Sequence, residues 1–87
     1  MATIKKKIWP EYFDLVDSGK KKFELRINDF EVEEGDVLIL EEWDPKVKEY
    51  TGRKIEKKVG YVLKFKINDF NQENMIKEKG LQVISLE

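Results

Sequence analysis

Gly19, Lys21, Glu24 and Arg26 stand at the offsets G-x-K-x-x-E-x-R within the run SGKKKFELR, and they are the residues of this chain best suited to chemistry. Glu24 and Arg26 are two residues apart, so on a strand they share a face. There a carboxylate and a guanidinium orient each other and offer acceptors and donors that match the polar edge of a base or a phosphate. Glu24 could orient a substrate amine or act as a base, and Arg26 could hold a phosphate or simply pair with Glu24. Lys21 lies among Lys20, Lys22 and Arg26, and cationic neighbours disfavour an ammonium, which is one route to a nucleophilic lysine. The same residues also describe a plainer object, a lysine-rich turn followed by a strand whose charged face is solvated and whose ion pairs contribute little.

The flanking elements decide between these readings. Gly19 suits the left-handed position that ends a helix, and Phe23, Leu25 and Ile27 alternate with Lys22, Glu24 and Arg26 as in a half-buried strand. That alternation predicts Phe23 and Leu25 in the core with Lys22 and Glu24 in solvent. On this parity Lys21 falls on the side of Phe23, so it joins Glu24 and Arg26 only if the chain is still turning at residues 20 to 22. Upstream, Ile4 to Ile8 reads as a short strand, and Pro10 suits the first position of a helix running to about Ser18. Trp9, Tyr12, Phe13, Leu15 and Val16 give that helix one apolar face to cover an open end of a sheet. Trp9 and Tyr12 carry polar groups at the helix start and stay open as binding residues.

Downstream, Asn28-Asp29 and Glu33 to Asp36 are turn sequences, and Val37 to Trp43 is an apolar strand without clean alternation, expected to be buried on both sides. Asp44-Pro45 and Tyr50 to Arg53 bracket a charged hairpin tip. Ile55 to Phe65 reads as a long strand with Gly60 at a bulge or corner. Asn71 is placed to cap a short helix through Lys79, ended by Gly80, before a last strand at Leu81 to Leu86. Ile-Asn-Asp-Phe occurs at 27–30 and at 67–70, and reads as reused turn chemistry because the flanking residues do not match. The whole predicts a single α+β domain over residues 1–87, with about five mostly antiparallel strands and two helices curled into a small barrel. Its expected core is Ile8, Phe13, Val16, Phe23, Leu25, Val37, Ile39, Val62 and Ile84.

Composition narrows the chemistry. Seventeen Lys and Arg balance eighteen Asp and Glu, and the net charge of −1 provides no global attraction to nucleic acid, so any anion-binding surface must be local. With no cysteine and no histidine there is no disulfide, no thiolate nucleophile, no imidazole base and no Cys/His metal site. No metal or other cofactor is expected. A 40% charged composition rich in Lys and Glu points to a protein built for heat. Lys5-Lys6-Lys7 interrupts the region where a signal peptide would need an apolar core, and no long apolar run occurs, so a cytoplasmic location without a membrane partner is the expectation, with a monomer as default.

The G-x-K-x-x-E-x-R motif resembles the signature of ASCH domains, small β-barrels related to the PUA domains of RNA-binding and RNA-modifying proteins. Lys7 to Phe13, Val32 to Leu40, Glu42 to Pro45 and Tyr50 to Arg53 are similar to the ASCH-like group of uncharacterised domains called DUF3850, and the resemblance spans roughly residues 4–86. It implies a PUA-like fold and two functional classes. One is an RNA- or nucleotide-binding module in which Lys21, Glu24 and Arg26 line a groove between helix and barrel, with Arg53 and Lys54 added from the family-like Thr51-Gly52-Arg53 turn. The other is an amidohydrolase that removes an acyl group from N4 of a modified cytidine, with Lys21 and Glu24 catalytic. Such enzymes carry a threonine where Glu24 stands here. A third reading is a protein-interaction domain using the Trp43 loop.

Overall fold

The computed structural model describes residues 1–65 and 79–87. In chain order it contains β1 (Thr3–Ile8), α1 (Pro10–Asp17), β2 (Phe23–Ile27), β3 (Val37–Asp44), β4 (Glu49–Phe65) and β5 (Leu81–Leu86). These strands form one mixed sheet in the order β1-β3-β4-β5-β2. β1 runs parallel to β3, and every other neighbouring pair is antiparallel. The short helix expected from Asn71 lies outside the described residues.

The strand β4 holds the two halves of the sheet together. It pairs with β3 up to Lys58 and with β5 from Val59, and its register shifts between Val59 and Val62. Gly60 lies within that shift, as its sequence position predicts. A Cβ there would approach Ser85 Oγ and Glu87 Oε1 to 3.1 Å, so the missing side chain lets the end of β5 lie close against the bend.

The sheet is not closed into the expected barrel. Among the described residues β1 pairs only with β3 and β2 only with β5, so these two strands are the edges of the sheet. Across the seam between them the guanidinium of Arg26 on β2 donates from Nη2 to the Lys7 carbonyl on β1, at 2.5 Å.

The core is built from Ile8, Phe13, Val16, Val32, Leu38, Leu40, Val59, Ile84 and Leu86, with Ile4, Phe30, Ile55 and Val62 packed around it. Pro10 starts α1, and Phe13 and Val16, three residues apart, are its buried face. β3 is buried on both faces at Leu38, Ile39 and Leu40, as its unbroken apolar run predicts. Asp36, just before β3, accepts hydrogen bonds from the backbone N–H groups of Ala2 and Glu33 at 2.8 and 2.9 Å. Those bonds hold its carboxyl below the ordinary carboxylate value.

The parity expected for β2 is reversed. Phe23 and Leu25 are 47% and 52% exposed, whereas Glu24 is 3% exposed. Lys22 is exposed, as expected. Alternation determines which residues share a face but not which face is covered, and here the covered face takes the charged residues. Glu24 is tolerated there because both its oxygens are hydrogen-bonded.

Candidate functional site between the sheet edges

Lys21, Glu24 and Arg26 come together. Glu24 Oε1 accepts from Lys21 Nζ at 2.7 Å and Oε2 from Arg26 Nε at 2.9 Å, so one buried carboxylate orients two cations. Lys21 reaches this position because the chain is still turning when it passes. Gly19 has φ +82°, and the Lys21 N–H donates to Leu15 O at 2.9 Å, tying the turn back onto α1 before β2 starts at Phe23. Lys21 thus lies against a carboxylate, and not only among the lysines beside it in sequence.

The three residues line a cleft of about 420 Å³ between the free edges of the sheet. Its other walls are Lys7 and Ile8 at the end of β1, Trp9 and Tyr12 at the start of α1, and Phe23 and Leu25 of β2. The Trp9 and Tyr12 rings stack at 6.4 Å with an interplanar angle of 27°, and Lys21 Nζ lies 5.1 Å from the centre of the Phe23 ring. The cleft therefore has one charged wall and one aromatic wall, the combination that holds an orientable planar ligand. Beyond Arg26 the seam continues into a smaller recess of about 310 Å³, whose lining includes Lys6, Ile27, Asp29 and Phe30. Behind Arg26, its cross-strand neighbour Gln82 is fully buried; Nε2 donates to Phe30 O at 3.4 Å, and Oε1 accepts no hydrogen bond among the described residues.

Arg53 and Lys54 do not line this cleft. Arg53 donates from Nε and Nη2 to the two oxygens of Glu42 at 3.0 and 2.6 Å and from Nη2 to Asp14 Oδ1 at 3.0 Å, and its guanidinium lies 4.4 Å from the centre of the Phe13 ring. Thr51 Oγ1 donates to Glu42 as well. These bonds hold the Glu42 carboxyl below its ordinary value and push the Arg53 guanidinium above its own. The cluster fastens α1 to the β3–β4 hairpin. Lys54 stands opposite Glu41 in the ladder and is exposed. Trp43 is also engaged internally, edge-on to Tyr50 at 5.0 Å and with Lys7 Nζ 3.9 Å over its ring. Among the described residues no group of three Asp, Glu, His or Cys could hold a metal ion, and no helix is long and apolar enough to cross a membrane.

Most of the chain that builds these contacts matches a known family. The model described as "Domain of unknown function (DUF3850)" matches residues 3–76. This chain belongs to the DUF3850 family. An uncharacterised 12.9 kDa protein from the GpA 3′ region of Escherichia phage P2 is 49% identical over 53 residues, which cover 61% of this chain and 47% of the phage protein. The matched part thus spans about half the length of that curated relative. The crystal structure of the hypothetical protein PH0355 superposes with a TM-score of 0.74 at 20% identity, covering 100% of this chain and 98% of the other, so the two share a fold.

In this DUF3850 domain, the sequence motif identified the charged wall but missed much of its setting. Lys7, Ile8, Phe23 and Leu25 line the cleft without having been candidates for it, because the meeting of β1 and β2 is invisible in one dimension. Trp9 and Tyr12, kept open for their polar groups at the start of α1, do line it. Glu42 and Asp14, the partners of Arg53, had one available signal. Glu42 comes just after the apolar run Val37 to Leu40 of a strand expected to be buried on both sides, and a buried carboxylate requires a hydrogen-bonding partner.

Proposed function

We propose that this DUF3850 domain is an ASCH-like member of the PUA-like superfamily, with the seam between β1 and β2 corresponding to the groove of a nearly closed barrel, and that it binds RNA or a nucleotide there. The observation that carries this reading is the buried Glu24, which holds Lys21 and Arg26 side by side opposite the stacked Trp9 and Tyr12. An ammonium keeps two further N–H donors after pairing with Glu24, and the Arg26 guanidinium, which lines the cleft, keeps N–H groups beyond those engaged by Glu24 and the Lys7 carbonyl. These donors suit a phosphate or a base carbonyl, while the aromatic wall offers a surface on which a base can stack, worth about 1–3 kcal/mol per base. Attraction comes from this local pair of cations, since the chain's net charge is −1.

Titration of the purified protein with single-stranded RNA and with mononucleotides tests the reading. Binding should weaken with rising salt, with a small slope because few phosphates can reach two cations. Affinity that is unchanged from low to high salt, or that survives the double change Lys21→Ala and Arg26→Ala, would sink it.

A second reading rests on the 2.7 Å contact of Lys21 Nζ with Glu24 Oε1, a cation–carboxylate pair at the wall of the cleft. Such a pair could position and activate water for hydrolysis of an N4-acylated cytidine. Lys21→Arg separates the two classes, because it keeps the charge while removing the amine. An amidohydrolase would lose turnover on acylated cytidines, and a binding module would keep most of its affinity.

A further inference from the structure

The outward face of β2, β5 and β4 is a three-by-three grid of side chains. Across β2 and β5, Phe23 stands opposite Ser85, Leu25 opposite Val83, and Ile27 opposite Leu81. On the far side of β5, Leu63 and Phe65 of β4 stand opposite Val83 and Leu81, and Tyr61 alternates with them on the same face. The grid contains no charged residue and, apart from Ser85, no side chain that is not apolar or aromatic. This is unusual in a chain that is 40% charged. The outward face of the other half of the sheet has the opposite character, with Lys5, Glu41, Lys54 and Glu56 on neighbouring strands.

We propose that two copies of this chain pack these uncharged faces together as a two-fold, sheet-on-sheet dimer. Phe23, Leu25, Tyr61, Leu63 and Phe65 are each roughly half exposed. At roughly 200 Å² for a large side chain, these five present on the order of 500 Å² per copy. Two copies would bury about 1,000 Å², the lower limit of a specific interface. Charge selects the same occupant. Grid residues without charges meet their own copy with no like-charge juxtaposition among them. Sheets pack face to face about 10 Å apart with side chains interdigitating, and a flat grid of mixed Phe, Leu and Tyr can do this across a two-fold axis. Phe23 and Leu25 belong both to this face and to the lining of the cleft, so the dimer borders the cleft along β2.

Sedimentation equilibrium over a wide concentration range tests the proposal. The wild-type protein should have twice the 10.4 kDa mass of one chain. Leu63→Lys and, separately, Tyr61→Glu should return it to the mass of one chain with an unchanged circular dichroism spectrum, since both side chains are exposed within one copy. Glu56→Lys, on the charged half of the sheet, should leave the dimer intact. A wild-type protein at the mass of one chain at every concentration overturns the proposal, and so does a dimer that survives both face substitutions. A wild-type monomer whose melting temperature falls with Leu63→Lys would also overturn it, by showing that the chain itself covers this face.

Discussion

Arg26 links the two free edges of the sheet by donating to the carbonyl oxygen of Lys7, while its Nε is held by the buried carboxylate of Glu24. One guanidinium thus ties β1 to β2 and lines the cleft at the same time. Arg26→Ala leaves Glu24 buried with Lys21 as its single remaining partner and removes the tie between β1 and β2. A buried acceptor deprived of its partner costs about 1–3 kcal/mol. With ~4–8 °C per kcal/mol for a domain of this size, thermal unfolding should show a fall of about 5–20 °C. Glu24→Gln should cost less, because the cations it releases are partly exposed and can turn to water. Equal or reversed losses in the two variants would contradict this account of the seam.

Trp9 should report directly on the cleft. Its ring is exposed and stacked with Tyr12, whereas Trp43 is engaged with Tyr50 and Lys7. In a Trp43→Phe background, nucleotide binding should change the fluorescence of Trp9. Trp9→Ala should weaken binding by about 1–3 kcal/mol, the range for loss of one stacking platform, with little change in melting temperature. Unaltered fluorescence at saturating nucleotide would remove the aromatic wall from the site.

Arg53→Ala should separate stability from binding in the opposite sense to Trp9→Ala. Arg53 supplies two of the hydrogen bonds to the buried Glu42 and the tie to Asp14 on α1, yet it does not line the cleft. Differential scanning calorimetry should show a clear loss of stability, and isothermal titration below the new transition should show affinity close to wild type. Arg53→Lys should restore little, since an ammonium cannot reproduce the planar two-point contact with Glu42.

Acid should unfold the domain through Asp36 and Glu42. Both carboxyls are held below their ordinary values of 3.8 and 4.5, Asp36 by two backbone N–H donors and Glu42 by Arg53 and Thr51. A depressed carboxyl contributes stability that is complete above its unfolded-state value and is lost as pH falls through its folded-state value. Urea midpoints should therefore be nearly flat above about pH 5 with respect to these groups and fall once the pH drops below about 4.5. Asp36→Asn should lower the midpoint near neutrality and make the acid fall shallower. A midpoint as acid-sensitive in Asp36→Asn as in wild type would assign the effect to other groups.

The strand limits were largely legible in the sequence, because turn residues and apolar runs act locally. Pro10 and Gly19 bracket α1 and its exit turn, Gly60 marks the register shift of β4, and Leu81 to Leu86 forms the last strand. The motif also named the three residues that meet, since the exit turn after Gly19 and the two-residue spacing of Glu24 and Arg26 are short-range geometry. What tertiary structure alone decided was the direction in which β2 faces. A period of two is the same pattern whichever side is covered, and here Glu24 is buried facing a cleft that it shares with Lys7 and Ile8 of β1 and with Trp9 and Tyr12 at the start of α1. The open seam is likewise a property of the assembled sheet. Local preference forms each strand, but which strands become neighbours is a long-range property, and so is the approach of Arg26 on β2 to the Lys7 carbonyl on β1, nineteen residues away in sequence.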